Sequence, residues 1–525
     1  MRIRLHWIMA VLGIAAAPAC AASGYDVVEK SVADLRRDLA DGKVTSEELV
    51  RAYEARISDL NPRLHAVISL NPKAIDEARN SDALRKSGAK LGSLAGVPIL
   101  LKDNIESSDG SATTVGSLAL KSNTTFRDAL VSANLKSAGA VILGKTNLSE
   151  WANIRSDHSI SGWSAIGAQA RNPYALDRSP CGSSSGSAVS AAASLAAATV
   201  GTETDGSITC PAAVNGLVGL KPTVGLVSRT RIVPISHTQD TAGPITRLVA
   251  DAAIVLSTLS GSDPADPVTI SADAHRTDFT QFLKSDALKG VHVGVMRFSA
   301  GFHPETDAVF AQALETLKRL GATLVEIKEF PNSVDIGARE LLVLKTELKV
   351  NLNSYLASTD PKKVQTRSLA DLIAFNRSWA PEEMPTFQQE LFEQAQDTAG
   401  LKDEKYLRAL DEAHQAAGPD GIDKMLKAYD VAVLVAPTLS PAWLIDPVLK
   451  DTFIAGPAGS VAAVAGYPHL SVPMGHVSGL PVGLSFIGPA WNEGALLGYG
   501  YAFEQAAHAR LPPKYLSTVE QPKRP

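Results

Sequence analysis

The chain has 525 residues, 45% of them hydrophobic and 20% charged, so it can bury a large core and lacks the polar, highly charged composition of a disordered chain. A formal net charge of −5 offers no basic footprint for nucleic acid, and no nucleic-acid partner is expected. Length alone leaves one or two domains open.

The chain begins MRIRLHWIMAVLGIAAAPACAASG, with Arg2 and Arg4 ahead of an apolar run from Ile8 to Ala17 and small residues after it. This is the pattern of a signal peptide, assigned to residues 1–22 and cleaved on export to the periplasm or beyond. The run of about ten residues is too short to span a bilayer, which needs about twenty, so no stable membrane association is expected. Its removal leaves Cys181 and Cys210. Two cysteines make no disulfide framework; buried free thiols are the expectation and a bridge the alternative.

Residues 29–60 carry a helical period through Val32, Leu35 and Leu39, then Leu49, Ala52, Tyr53 and Ile57, with Thr45-Ser46 ahead of Glu47-Glu48 as a helix start. From residue 94 the texture changes to short apolar runs punctuated by glycine and proline. Those at 97–101, 140–143 and 217–220 read as strands between helices, hence an α/β protein. The segment GAVILGKT at 139–146 matches a phosphate-loop pattern literally, but its variable positions are the strand itself. Residues 262–430 are more polar and helix-rich; apolar strands resume at 431–435, 469–473 and 482–487. One domain over 25–515, with a helix-rich insertion at about 262–430, accounts for this order.

The stretch CGSSSGSAVS at 181–190 satisfies the nucleophile-elbow pattern G-x-S-x-G with Ser184 at its centre. An elbow needs a buried strand running into the serine, and RNPYALDRSP at 171–180 has none. An elbow would also need a histidine such as His237 or His469, for which spacing identifies no acid partner. The alanine-rich sequence after Ser187 favours a helix over about 187–198, some 18 Å long at about 1.5 Å per residue. An extended return through ATVGTETD brings Gly206 and Ser207 back beside Ser183, 24 positions earlier. Upstream, Lys102 follows the apolar run of LAGVPILLK, where burial favours its neutral form; a lysine paired with Asp103 is the structural alternative. The eleven histidines show no ligand spacing, so neither metal nor other cofactor is expected.

LLKDN (100–104), GSSSGS (182–187) and GTETDGSITCPA (201–212) together resemble the amidase signature family, and the likeness continues through NGLVGLKPTVGLVS, DTAGPI, AGYPHLSVPMG and GLPVGLSFIG. The resemblance implies one domain with a central mixed β-sheet surrounded by helices, and a Ser-Ser-Lys triad. Ser207 is then the acyl-forming nucleophile, Ser183 a bridging serine on a cis peptide, and Lys102 the base. The turn Thr204-Asp205-Gly206-Ser207 supplies oxyanion-hole N–H groups. Family members commonly carry glycine where Asp205 stands and arginine where Thr209 stands, which makes these two the candidate substrate-binding residues.

Together with WANIRSDHSISGWSA (151–165) and SLADLIAFN (368–376), these departures resemble the bacterial peptide amidases, which hydrolyse the C-terminal carboxamide of peptides. The expected partner is thus a peptide or small-molecule amide, and the expected state a monomer. The alternatives are a general amidase or esterase on small amides and, in another class, an inactive exported peptide-binding protein. The tRNA-transamidation enzymes of the same family fit neither the export signal nor the charge.

Overall fold

The computed structural model describes residues 24–519, so the segment read as a signal peptide lies outside the described residues. The N-terminal helical period forms α1 (Val32–Ala40) and α2 (Ser46–Leu64), each opened by a reciprocal capping box, Ser31 with Asp34 and Thr45 with Glu48. Each box satisfies two backbone groups that a helix start otherwise leaves open. Of the expected apolar positions, Val32, Leu35, Leu39, Leu49, Tyr53 and Ile57 are buried and Ala52 is half-buried. Two further helices, α3 (Ala74–Lys86) and α4 (Leu130–Ser137), precede the serine-rich region.

The strands are β1 (Val67–Leu70), β2 (Pro98–Lys102), β3 (Val141–Thr146), the short hairpin β4 (Trp163–Ser164) and β5 (Ala168–Gln169), β6 (Ala198–Glu203), β7 (Val218–Lys221), β8 (Thr241–Thr246), β9 (His292–Met296), β10 (Thr323–Ile327), β11 (Val433–Pro437), β12 (His469–Val477) and β13 (Leu480–Ile487). All but the hairpin join one sheet of order β1-β3-β2-β6-β8-β7-β12-β13-β11-β9-β10. The run β3-β2-β6 is parallel, as is β11-β9-β10, and the strands between them are antiparallel, so the sheet is mixed. The GAVILGKT segment is strand β3, and Lys145 spends its ammonium inside the core on Ile105 O and on Thr113 Oγ1 at 3.2 Å.

Two boundaries need correction. The helix-rich stretch 262–430 is not wholly outside the sheet, because β9 and β10 within it complete the parallel edge. The helical excursion proper runs from Ile336 to Ala428, with long helices at Ile336–Ser358 and Glu404–Ala417. The helix after the serine loop, α5 (Ser185–Ala192), is also shorter than the expected 187–198. Ser194 takes a left-handed backbone (φ 54°) just beyond it and turns the chain into β6. Every residue of α5 is buried, which its glycine, serine and alanine side chains allow, since small residues let the helix lie close on β2, β3, β6 and β8.

Candidate active site

β2 and β6 are parallel neighbours, and their last residues are Lys102 and Glu203. Ligands of open α/β sheets bind beyond such carboxyl ends. The Lys102 side chain is fully buried there; its Nζ donates to Ser183 Oγ (2.8 Å), Thr202 Oγ1 (2.8 Å) and Thr202 O (3.2 Å). Burial pulls Lys102 down to about 7, against the opposing charges of Asp240 and Glu203. Near neutral pH a large share of it is therefore a free amine, able to accept a proton from Ser183. Asn104 Nδ2 donates to Thr202 Oγ1 (3.0 Å) and steadies the same corner.

Ser183 is delivered by a loop in which the Gly182–Ser183 peptide is cis. Ser149 N donates to Ser183 O (3.0 Å), and Ser185 Oγ to Cys181 O (2.7 Å). A Cβ on Gly182 would lie 2.1 Å from Ser149 Oγ, so a larger residue there would have to displace that hydroxyl. Ser184, the centre of the elbow pattern, spends its hydroxyl on the backbone of β6, donating to Thr202 O (3.0 Å) and accepting from Thr202 N (3.2 Å). No strand runs into it. His469 is buried on β12 against Ser485 Oγ (2.6 Å), where burial drives it down to about 3, and His237 lies 3.6 Å from Glu347.

Ser207, mostly buried, sits two residues ahead of the short helix α6 (Thr209–Val214). Gly206 before it has φ +75°, a conformation that glycine adopts without the Cβ penalty. The extended return places this turn against the serine loop, and Ser184 N donates to Ser207 O at 3.1 Å. Among the described residues no hydrogen bond joins the Ser183 and Ser207 hydroxyls, and no protein acceptor takes the N–H groups of Asp205, Gly206 and Ser207. Glu203 closes the turn from below: its Oε2 accepts from Ile208 N (2.7 Å), Thr209 N (3.0 Å) and Thr209 Oγ1 (3.3 Å). Thr204 is held by Asp240 Oδ1 (2.6 Å).

Of the two candidate substrate-binding residues, Asp205 is half-buried in the turn, and burial raises its carboxyl to about 6 against a hydrogen bond from Ser460. Thr209 is buried, with both its N–H and its hydroxyl committed to Glu203, so it stands beneath the turn rather than on an open wall. Sequence reasoning did not single out Thr202 and Glu203, which end β6 just before the turn, or Asp240, Gln239 and Glu340, which reach it through tertiary contacts. A cleft of about 470 Å³ adjoins this corner, lined in part by Asn104, Thr202, Thr204, Asp240 and Tyr355.

Cys181 and Cys210 form a disulfide, with Cα atoms 6.1 Å apart, in place of the expected free thiols. The return of β6 brings α6 against the serine loop and with it the second cysteine. The bridge closes a sequence separation of 29 residues, from two residues before Ser183 to three after Ser207. Replacing both cysteines with serine should cost about 3–4 kcal/mol on the loop-entropy account of a bridge this long. In a chain of this size that is a fall of a few degrees in the thermal midpoint, readable by calorimetry.

A family model described as Amidase matches residues 48–497. The chain is 40% identical over 505 residues to a probable amidase of Arabidopsis thaliana, covering 94% of this chain and 93% of the relative. The crystal structure of the peptide amidase from Stenotrophomonas maltophilia superposes with a TM-score of 0.88 at 48% identity, over 93% of this chain and 99% of that one. A peptide amidase bound to the competitive inhibitor chymostatin gives 0.89 at 49%, with the same coverages.

The mixed eleven-stranded sheet, its site and these likenesses define an amide hydrolase. The chain belongs to the amidase signature family.

Proposed function

We propose that the protein hydrolyses the C-terminal carboxamide of peptides to a free acid and ammonia through Ser207, Ser183 and Lys102. The observation that carries this is the buried Lys102 Nζ held 2.8 Å from Ser183 Oγ, in a loop hydrogen-bonded to the turn that bears Ser207. Neutral Lys102 takes the Ser183 proton as Ser183 takes that of Ser207, and the Ser207 oxygen attacks the amide carbonyl. The oxyanion meets the free N–H groups of the Asp205–Ser207 turn. Collapse expels ammonia, which leaves with the proton returned through Ser183; water then attacks the ester carbonyl by the same relay, frees the acid and restores the Ser207 hydroxyl.

The likeness to two peptide amidases supports the substrate class, and the half-buried carboxylate of Asp205 supports a substrate with N–H groups near its scissile carbonyl. The Cys181–Cys210 bridge favours an oxidising compartment, in keeping with export. The test is ammonia release from an amidated dipeptide and from a simple aliphatic amide, side by side. We expect kcat/KM for the dipeptide amide to be larger by about 100-fold or more, since binding energy from remote parts of the substrate is spent on the reacting centre. A preference for the simple amide would make the protein a general amidase.

A further inference from the structure

The helix Ile336–Ser358 of the helical excursion sends two carboxyl groups, Glu340 and Glu347, toward the segment 236–240 that supports the oxyanion turn. They lie seven residues apart and so on one helix face. Their hydrogen bonding differs sharply. Glu347 is saturated: Ser236 Oγ (2.5 Å), Thr238 N (3.3 Å), Thr238 Oγ1 (3.0 Å) and Tyr406 OH (2.8 Å) all donate to it. It is a clamp with no capacity left.

Glu340 is more than nine-tenths buried, yet it carries one hydrogen bond only, from Gln239 Nε2 to Oε1 at 2.7 Å. The same Gln239 amide reaches Thr204 O at 3.4 Å, which fixes Glu340 beside the turn. Its second oxygen has no partner among the described residues. That oxygen is not among the side-chain atoms sealed from solvent, so water or the donor group of a ligand can reach it. Asp205, two residues from Ser207, is the charged neighbour: burial first and the Asp205 charge second push the Glu340 carboxyl well above its ordinary range. Burial and mutual repulsion therefore disfavour a full negative charge on both groups at once, a setting that suits a hydrogen-bond donor and not an anion.

We propose that Glu340 and Asp205 form the subsite that selects the acyl side of the substrate, binding a donor nitrogen on the carbon next to the scissile carbonyl. This rests on the reading of Ser207 as nucleophile, because it is the carbonyl poised at Ser207 that brings its α-substituent beside Asp205. Both a peptide N–H and a free α-ammonium present that chemistry. A simple aliphatic or arylalkyl amide does not.

Three amides that differ only at that position provide the test: N-acetylphenylalaninamide, phenylalaninamide and 3-phenylpropanamide. For the unaltered protein we expect kcat/KM for at least one donor-bearing amide to exceed that for 3-phenylpropanamide by about 10- to 100-fold, the scale of a hydrogen bond to a charged group. The acetylated and free-amine arms show whether the neutral or the cationic nitrogen is preferred. In Glu340→Leu the ratio should fall at least about tenfold, mainly through KM of the donor-bearing amide. Glu340→Gln keeps the shape and one oxygen acceptor, and should hold an intermediate ratio. A ratio near one in the unaltered protein, or variants in which all three amides fall together with the ratio intact, would overturn the assignment and leave the amidase reading standing. No ammonia from any of the three amides or from an amidated dipeptide would overturn both.

Discussion

Ser207→Ala should lower ammonia release from an amidated dipeptide by at least about 10⁴-fold, the scale on which removing a covalent nucleophile is felt. Nothing else at the end of β6 can replace it. Thr204 is tied to Asp240 and Thr209 to Glu203, so neither neighbouring hydroxyl is free to attack. Ser183→Ala should cost about 10²–10⁴-fold, as expected for loss of a positioned proton carrier, with the fold retained. Ser184→Ala separates this reading from the elbow. It leaves the Thr202 N–H and carbonyl short of a partner, a penalty of about 1–3 kcal/mol in stability, but the nucleophile stays in place and activity should hold within about tenfold. The measurement is single-turnover acylation alongside the melting temperature. If Ser184→Ala alone is inactive, the elbow is restored and the Ser207 assignment falls.

The sequence read most clearly where chemistry and local pattern coincided. The apolar runs at 97–101 and 217–220 became β2 and β7, and the 24-residue spacing of Ser183 and Ser207 matched a helix out and a strand back. The expected helix runs too far because alanine propensity continues through 198, whereas the chain leaves the helix after Ala192 and turns at the left-handed Ser194. β8 went unread as a strand because TAGPIT has no apolar run; its glycine and proline sit in a strand paired on both sides. β9, five residues long and lying in a polar stretch, gave an equally weak signal.

What could not be read was mostly contact at long range. The Cys181–Cys210 bridge depends on where β6 returns the chain, and cysteine count alone argued the other way. Glu340 and Glu347 look in sequence like solvent-facing residues of a helix, and only the docking of that helix on 236–240 distinguishes a saturated carboxylate from an open one. Thr209, chosen because it departs from the family's arginine, proved to be spoken for by Glu203. Substitution patterns identified the turn, but the direction of each side chain follows from the packing of α6.

Lys102→Arg should be as inactive as Lys102→Ala, with kcat/KM down by at least about 10³-fold, because the two remove the base by different routes. Arginine preserves the positive charge and the donors to Ser183 and Thr202, yet it does not deprotonate in a protein. A role limited to holding the serine loop predicts that arginine rescues; a role as base predicts that it does not. The pH profile supplies the sign. Burial lowers Lys102 from 10.5 to about 7, so below that pH it is largely ammonium and cannot accept the Ser183 proton, and above it the amine is free. The relay should therefore give kcat/KM an ascending limb centred near pH 7, with a plateau on the alkaline side. Asp240 stabilises the ammonium, so Asp240→Asn should shift that limb to lower pH. Asp205 ionises about one unit lower, so Asp205→Asn should leave the limb near 7 in place. An unaltered protein whose rate falls as pH rises through 7, or a Lys102→Arg variant within tenfold of it, would remove Lys102 from the role of base.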